Sequence, residues 1–343
     1  MAATITPFGV TIAHRLALNL RIDDQIGMGR EHFGFADGIS QPLPFEKDVV
    51  KLGTGDDAPE TDSVHRVPLG EILLGHRNGH NEIAQGPAAP ADTPAGRASG
   101  LPPAPRAQGF LDLGMDGSYL VVRELKQDVA EYWRSMEDAA KRLNAVAAPG
   151  DAPIDAAWIA SRIVGRDVDG HLLGPAGVLP PNAAGLPENE FVFFDRDRLG
   201  RGCPIGSHIR RCNPRDGLAP SDGFKQTLLN AANNHRLLRR GRKFGPDLPR
   251  GRKDDGEERG LLFMCLNTDI SRQFEFVQQT WILNLNFARL FGETDPLVGP
   301  DGEFTIPRDG LRDTVSVSTF IKMVGGEYFF LPSLPALRYL EAL

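Results

Sequence analysis

The sequence predicts an α+β fold, a sheet of strands with helices packed on one face. Two observations predict it. Apolar runs of strand length stand between polar residues, and two segments carry apolar residues at helical spacing. Their order along the chain is strand, helix, strands, helix, strands, the pattern of a two-layer α+β sandwich.

Residues 1–22, with Ile5, Val10, Ile12 and Leu20, alternate apolar and polar in short stretches that suit one or two strands, and Ile26-Gly27-Met28-Gly29 suits a turn. Gln85 to Ala107 is crowded with Pro, Ala and Gly and reads as a long surface loop. Ser118 to Leu125 reads as a strand. Beyond it, Val129, Tyr132, Trp133, Met136, Ala140 and Leu143 recur as one face of an amphipathic helix. Glu190 to Phe194 and Gly260 to Leu266 read as buried strands. The run His235 to Pro246 is strongly basic, with Arg250, Arg252 and Lys253 beyond it, and reads as a solvated loop. Asp269 stands at an N-cap position ahead of a second helix with Phe274, Val277, Gln278 and Trp281. Thr314 to Val324 and Glu327 to Leu331 read as a closing strand pair turned at Gly325-Gly326.

At 343 residues and 41% hydrophobic content, the chain can bury a large core in one or two domains. A formal charge of −7 argues against nucleic acid and anionic membrane as partners. Three cysteines do not make a disulfide framework, which favours a reducing, cytoplasmic compartment. His14, Arg15, Arg21, Asp23 and Asp24 interrupt the apolar residues near the start, so no signal-peptide core is expected, and no apolar run has membrane-spanning length.

Two segments concentrate chemistry. Asp37 lies between glycines in Gly34-Phe-Ala-Asp37-Gly38, where an ordinary Asp-Gly turn outweighs catalysis by roughly four to one when the dipeptide is taken alone. Cys203 to Arg215 holds His208, two thiols and three arginines. By itself it supports a zinc site of Cys203, His208, Cys212 and Cys265, or an axial iron ligand at His208 with arginines beside acidic propionates. It also supports a plain core histidine beside an ion-paired turn.

Taken together and in order, Glu31 to Pro42, Gly206 to Arg215, and Arg239 before Arg240-Gly241 resemble the dye-decolourising peroxidases. The hallmark of that family is a Gly-x-x-Asp-Gly motif followed much later by a haem-ligating histidine. Gly260 to Ile270, Arg272 to Trp281 and Gly325 to Ser333 extend the similarity from about residue 29 to the C-terminus. The long interval from Asp37 to His208 resembles the larger, insertion-bearing members.

The resemblance implies paired ferredoxin-like modules holding one haem b per chain. Residues 1–110 would be the remnant of a first module with the Asp37 motif, and 111–343 the haem-binding module. It also implies a peroxidase that reduces hydrogen peroxide and oxidises dyes, phenols or other organic donors. His208 is implied as the iron ligand, Asp37 as the proton-transferring group and Arg239 as the cation beside it. Leu262 and Phe263 are expected to wall the distal pocket. Arg211, with Arg210 second, is expected to pair a propionate; Asp269, with Glu275 second, to accept the other N–H of His208. Tyr328, Trp281 and Tyr119 are candidate electron relays, although packing is the commoner role of such rings by roughly three to one.

Members usually carry most of the first module before the motif, whereas 33 residues precede Gly34 here. That leaves three expectations: a shortened chain, a start assigned downstream, or a homo-oligomer that supplies the missing surface. The alternative function is a haem-binding or structural protein without turnover.

Overall fold

The strand expected at Ser118 to Leu125 is a central member of an antiparallel sheet in the computed structural model, which describes residues 11–19, 22–45, 63–182, 187–308 and 311–343 with Gly9 and Gly185. The sheet contains β1 (Leu18–Asn19), β2 (Ser118–Gln127), β3 (Leu238–Phe244), β4 (Gly260–Asn267) and, last in the chain, a strand over Ile321–Leu331. A separate hairpin, β5 (Gly302–Arg308) with β6 (Leu311–Val317), precedes that last strand, which is therefore β7. The spatial order is β1-β3-β4-β2-β7, every pair antiparallel. Without the two-residue β1, the chain runs strand, helix, strand, strand, helix, strand, and its first and third strands lie at the centre. That is the ferredoxin-like βαββαβ arrangement.

Helix α1 (Val129–Ala145) starts where Asp128 accepts the N–H of Glu131. Its Tyr132, Trp133 and Met136 pack on α2 (Ala156–Val164) and on Phe304, Ile306, Val315 and Val317 of the hairpin. Full burial of a side chain such as Met136 contributes roughly 2 kcal/mol. The second expected helix forms as a π-helical stretch, Ser271–Glu275 and Val277–Ile282, and lays Phe274 over Val121 and Cys265 on one face of the sheet. Among the described residues no helix is long and apolar enough to cross a membrane.

Several expectations change. The basic run is not a loop: Leu238–Phe244 forms β3, because its neighbour β4 is apolar enough to hold it in the ladder. Glu190 to Phe194 is not a strand; Phe193–Asp197 is a short helix whose first free N–H groups, those of Phe193 and Phe194, are both accepted by Asp216 Oδ1. Gly325-Gly326 is not a turn, since β7 runs through it with a register shift between Met323 and Gly325. A Cβ on Gly326 would lie 2.8 Å from Arg123 Cδ, so this glycine makes room for a crossing side chain. Gln85 to Ala107 contains a strand (Ala88–Pro90) and a helix (Pro94–Ser99) capped by Thr93, which packs Ala95 and Leu101 against Ala336 and Tyr339. Near the start, Ile22–Asp23 pairs with Met28–Gly29 around the expected turn, whereas Ile5, Val10 and Leu20 lie outside the described residues.

Candidate active site

Asp37 sits on a short segment that the core fixes on both sides. Phe33 stacks on Tyr132 at 4.3 Å between centroids, and Phe35 lies parallel to Trp133 at 6.5 Å. The Glu31 carboxylate accepts the N–H groups of Phe33 and Phe35, and burial pushes its pKa up to about 7. Beyond the aromatics, Ala36 N–H donates to Val168 and Asp37 N–H to Gly29. Gly38 then takes φ +85°, a conformation that favours glycine, and its N–H is accepted by Asp37 Oδ1. The Gln41 amide bonds both backbone groups of Arg239, at 3.0 and 3.2 Å, and so ties the segment to the edge of β3.

Arg239 Nη1 donates to Asp37 Oδ1 at 3.3 Å. Both groups line a cleft of about 370 Å³ with Gly38, Arg240, Gly241 and Leu261. Gly241 is required there: a Cβ on it would stand 2.7 Å from Asp37 Oδ2. Strand pairing places Arg239 opposite Cys265 and Gly241 opposite Phe263, so Phe263 shares their face of the sheet. Leu262, one residue away, points to the opposite face. The expected wall of Leu262 and Phe263 is therefore corrected to Leu261 and Phe263.

His208 opens α3 (His208–Cys212), and its Nδ1 bonds Asp295 Oδ2 at 2.9 Å. Asp295 is fully buried, and its other oxygen accepts the N–H groups of Leu297 and Val298. Burial alone would depress the pKa of His208, but Cys212 and the Asp295 carboxylate outweigh it and hold the imidazole well above its ordinary value. Burial likewise opposes ionisation of Asp295, and His208 reverses that, leaving the carboxyl below its usual range.

The expected carboxylate, Asp269, is elsewhere: it accepts the N–H of Arg272 at the start of the π-helical stretch, as an N-cap would. Glu275, the second choice, accepts the hydroxyl of Tyr328. No motif pointed to Asp295, 87 residues from the histidine it touches.

The propionate expectation also changes. Arg211 is fully buried, and its guanidinium donates to the carbonyls of Gly206, Trp281, Ile282, Asn284 and Glu293. Arg210 is likewise committed to the carbonyls of Asp197 and Cys203. Both arginines hold the fold. Nor do the four zinc candidates converge: Cys203 bonds Ser207, Cys265 lies under Phe274, and only Cys212, with Sγ 3.6 Å from Nε2, joins His208.

Three further buried arginines, like Arg211, have no carboxylate partner among the described residues. Arg166, Arg215 and Arg236 are 5, 4 and 6% exposed, and among the described residues none has an acidic oxygen within 4.0 Å. Arg166 and Arg215 both donate to Asn189 Oδ1, while Arg236 donates to Nδ1 of the buried His65. Burial lowers all three pKa values, Arg166 and Arg236 to about 10. Nearby in sequence to His208, both amide atoms of Asn213 are buried without a partner.

No protein-family model matches the sequence. Comparison with individual proteins is more informative. The chain is 31% identical to the dye-decolorizing peroxidase msp1 of Mycetinis scorodonius, covering 98% of this chain and 61% of that protein. It is also 31% identical to the multifunctional dye peroxidase DyP2 of an Amycolatopsis species, covering 98% of this chain and 66% of that protein. By sequence, this chain is a homologue of the dye-decolourising peroxidases. Solved structures agree: an Anabaena DyP-type peroxidase superposes with a TM-score of 0.69 at 28% identity, and Amycolatopsis DyP2 with 0.68 at 28%. These cover 98% of this chain and 63% and 66% of theirs. This dye-decolourising peroxidase homologue thus spans about six tenths of the length of the curated relatives it matches.

Proposed function

We propose that the chain is a haem-dependent peroxidase that reduces hydrogen peroxide and oxidises a dye, phenol or other organic donor. The observation that carries this reading is the Asp37–Arg239 pair, brought together from residues 202 apart onto one face of the sheet above a cleft. The names of the relatives, peroxidases acting on dyes, support it.

The donor set fits a haem. His208 has Nδ1 fixed by a buried carboxylate, which leaves Nε2 to ligate iron and makes it a stronger donor. Arg236, whose guanidinium among the described residues bonds only Nδ1 of His65, and the unsatisfied Asn213 suit a group with acidic edges better than Arg211, Arg166 and Arg215, whose guanidinium groups donate to backbone carbonyls. When bound, haem b supplies the redox chemistry that splits the peroxide O–O bond. Asp37 accepts a proton from one peroxide oxygen and returns it to the departing one. Arg239 stays cationic and stabilises the charge that develops on that oxygen. Leu261 lines the cleft beside the pair, and Phe263 adds apolar surface on the same face of the sheet.

The division into 1–110 and 111–343, a reducing cytoplasmic compartment, and one haem per chain belong to the same proposal. So does relay of electrons through Tyr328. Its ring is 37% exposed and lies over Arg123, whereas Trp281 is buried between Phe276 and His235.

The test is an absorption spectrum and pyridine haemochrome of the chain expressed with haem, followed by peroxide and a dye. A histidine-type ferric Soret band with peroxide-dependent dye oxidation, both lost in His208→Ala, is expected. A folded chain that takes up no haem overturns the proposal.

A further inference from the structure

The cleft beside Asp37 is larger than hydrogen peroxide needs. Its volume of about 370 Å³ is room for roughly twelve waters at about 30 Å³ each, and hydrogen peroxide takes the place of about two. Ile22, Met28 and Leu261 give it an apolar wall.

The charges along the cleft are out of balance. Five cations line it, Arg30, Arg239, Arg240, Arg242 and Lys243, against the carboxylates of Glu31 and Asp37. Three of the five have partners: Arg30 bonds Asp23 and Asp169 at 2.6 and 2.7 Å, Lys243 bonds Asp247 at 2.6 Å, and Arg239 bonds Asp37 at 3.3 Å.

Arg240 and Arg242 differ. Among the described residues neither has an acidic oxygen within 4.0 Å, and Arg242 Nη1 donates to the carbonyl of its neighbour Gly241. Period-two alternation puts both side chains on one side of β3, about 7 Å apart along the strand. The Arg240 guanidinium lies beside the Asp37 segment, since a Cβ on Gly38 would stand 4.0 Å from its Nη1. Two uncompensated guanidinium groups next to an apolar wall recognise an anion with an apolar body. That molecule is the oxidant and not the electron donor. A donor can deliver electrons from the surface, whereas the oxidant must bring its O–O bond to Asp37 and Arg239.

We propose that the cleft takes an organic hydroperoxide that carries a carboxylate, with the carboxylate on Arg240 and Arg242 and the hydroperoxide at Asp37. The proposal rests on the peroxidase reading above and names the oxidant. Asp37 accepts the hydroperoxide proton, the O–O bond breaks, and the alkyl oxygen leaves with that proton as an alcohol. The other oxygen ends as water, with two electrons and two protons from the organic donor, so that ROOH becomes ROH and H2O. Arg239 keeps its role at the departing oxygen, while Arg240 and Arg242 hold the far end of the molecule.

The full chain, loaded with haem, is assayed by steady-state oxidation of a saturating neutral phenol, with hydrogen peroxide, cumene hydroperoxide and the 4-carboxylate of cumene hydroperoxide as oxidants. The carboxylate is expected to exceed its neutral parent about tenfold in kcat/KM, chiefly through KM, the size of one charge-assisted pair. Combining Arg240→Gln with Arg242→Gln brings the ratio of the two hydroperoxides to about one. In the parent chain the ratio shrinks as salt rises from about 20 to about 300 mM, which decides the matter should the variant fail to fold. Equal kcat/KM for the two hydroperoxides overturns the proposal, as does an advantage that survives both the substitutions and the salt. In either case turnover with hydrogen peroxide leaves the peroxidase reading standing. Turnover with none of the three oxidants overturns that reading and this proposal with it. If the substitutions instead raise KM for an anionic phenol and leave the hydroperoxide ratio unmoved, the cleft serves the donor and the proposal fails.

Discussion

Replacing Gly241 by alanine tests whether the Asp37–Arg239 geometry drives the chemistry. The new Cβ would stand 2.7 Å from Asp37 Oδ2 and 3.1 Å from Leu261 Cδ1, against 3.4 Å for an ordinary contact. The strand cannot yield easily, because β3 is held in register with β4 along its whole length. Asp37 must therefore swing away, and its 3.3 Å bond to Arg239 opens. Crowding of this size costs about 1 kcal/mol of stability. A displacement of about 1 Å at a reacting group costs about 100-fold in rate, equivalent to about 2.7 kcal/mol in the barrier. The assay is stopped-flow absorbance of the haem-loaded protein mixed with peroxide, comparing the parent chain, Gly241→Ala, Asp37→Asn and the double variant. If the glycine acts through Asp37, the double variant is little slower than Asp37→Asn alone. Losses that add in full, or an unchanged rate in Gly241→Ala, refute the reasoning.

Three further outcomes are expected. Asp295→Asn removes the carboxylate from His208 Nδ1 and weakens the ring as a donor, so the ferric–ferrous midpoint potential rises; an unmoved potential in spectroelectrochemical titration counts against the pairing. Glu31 has its pKa raised from 4.5 to about 7 in the fold, so its contribution is present in full below pH 4.5 and lost as pH rises through about 7. Stability should fall by up to about 3 kcal/mol across that window, and Glu31→Gln should flatten urea midpoints measured at each pH. Arg211→Lys cannot reproduce a fork that serves five carbonyls and should cost about 3 kcal/mol of stability in thermal or urea unfolding, haem-free chain included; a loss below 1 kcal/mol would show that the arginine is not structural.

The parts of the site legible in the sequence were those encoded locally. Asp37 and His208 stand in motifs whose neighbouring glycines and arginines mark them, and both fall where the structure builds a pocket or a charge pair. Leu261 was missed in favour of Leu262, although period-two alternation from Phe263 would have selected it. Asp295 was not legible, since its partner is chosen by the packing of a loop against α3 and no local pattern records that. The arginines failed in an instructive way. A guanidinium beside His208 looks ready for an anion, but Arg211 is consumed by carbonyls that the end of the π-helical stretch and the loops after it leave open. The strand errors share a cause: β3 is too basic and Gly325-Gly326 too glycine-rich to read as strand, and both are held there by apolar neighbours in the ladder.

The strand order sets a sequence of events in time. The two central strands pair Lys126 with Gly260, 134 positions apart, whereas β3 and β4 form a hairpin within 30 residues of each other. Closing the longer loop costs roughly 4 kcal/mol of chain entropy before any contact rewards it. The β3–β4 hairpin therefore precedes the sheet, and Arg239 is in place before the loop that carries His208 is closed. Asp37 meets Arg239 only across 202 positions, so on the proposed function haem uptake waits for the long-range closures and not for the hairpin. Soret absorbance after dilution from denaturant should then rise with the final refolding phase, not with the first.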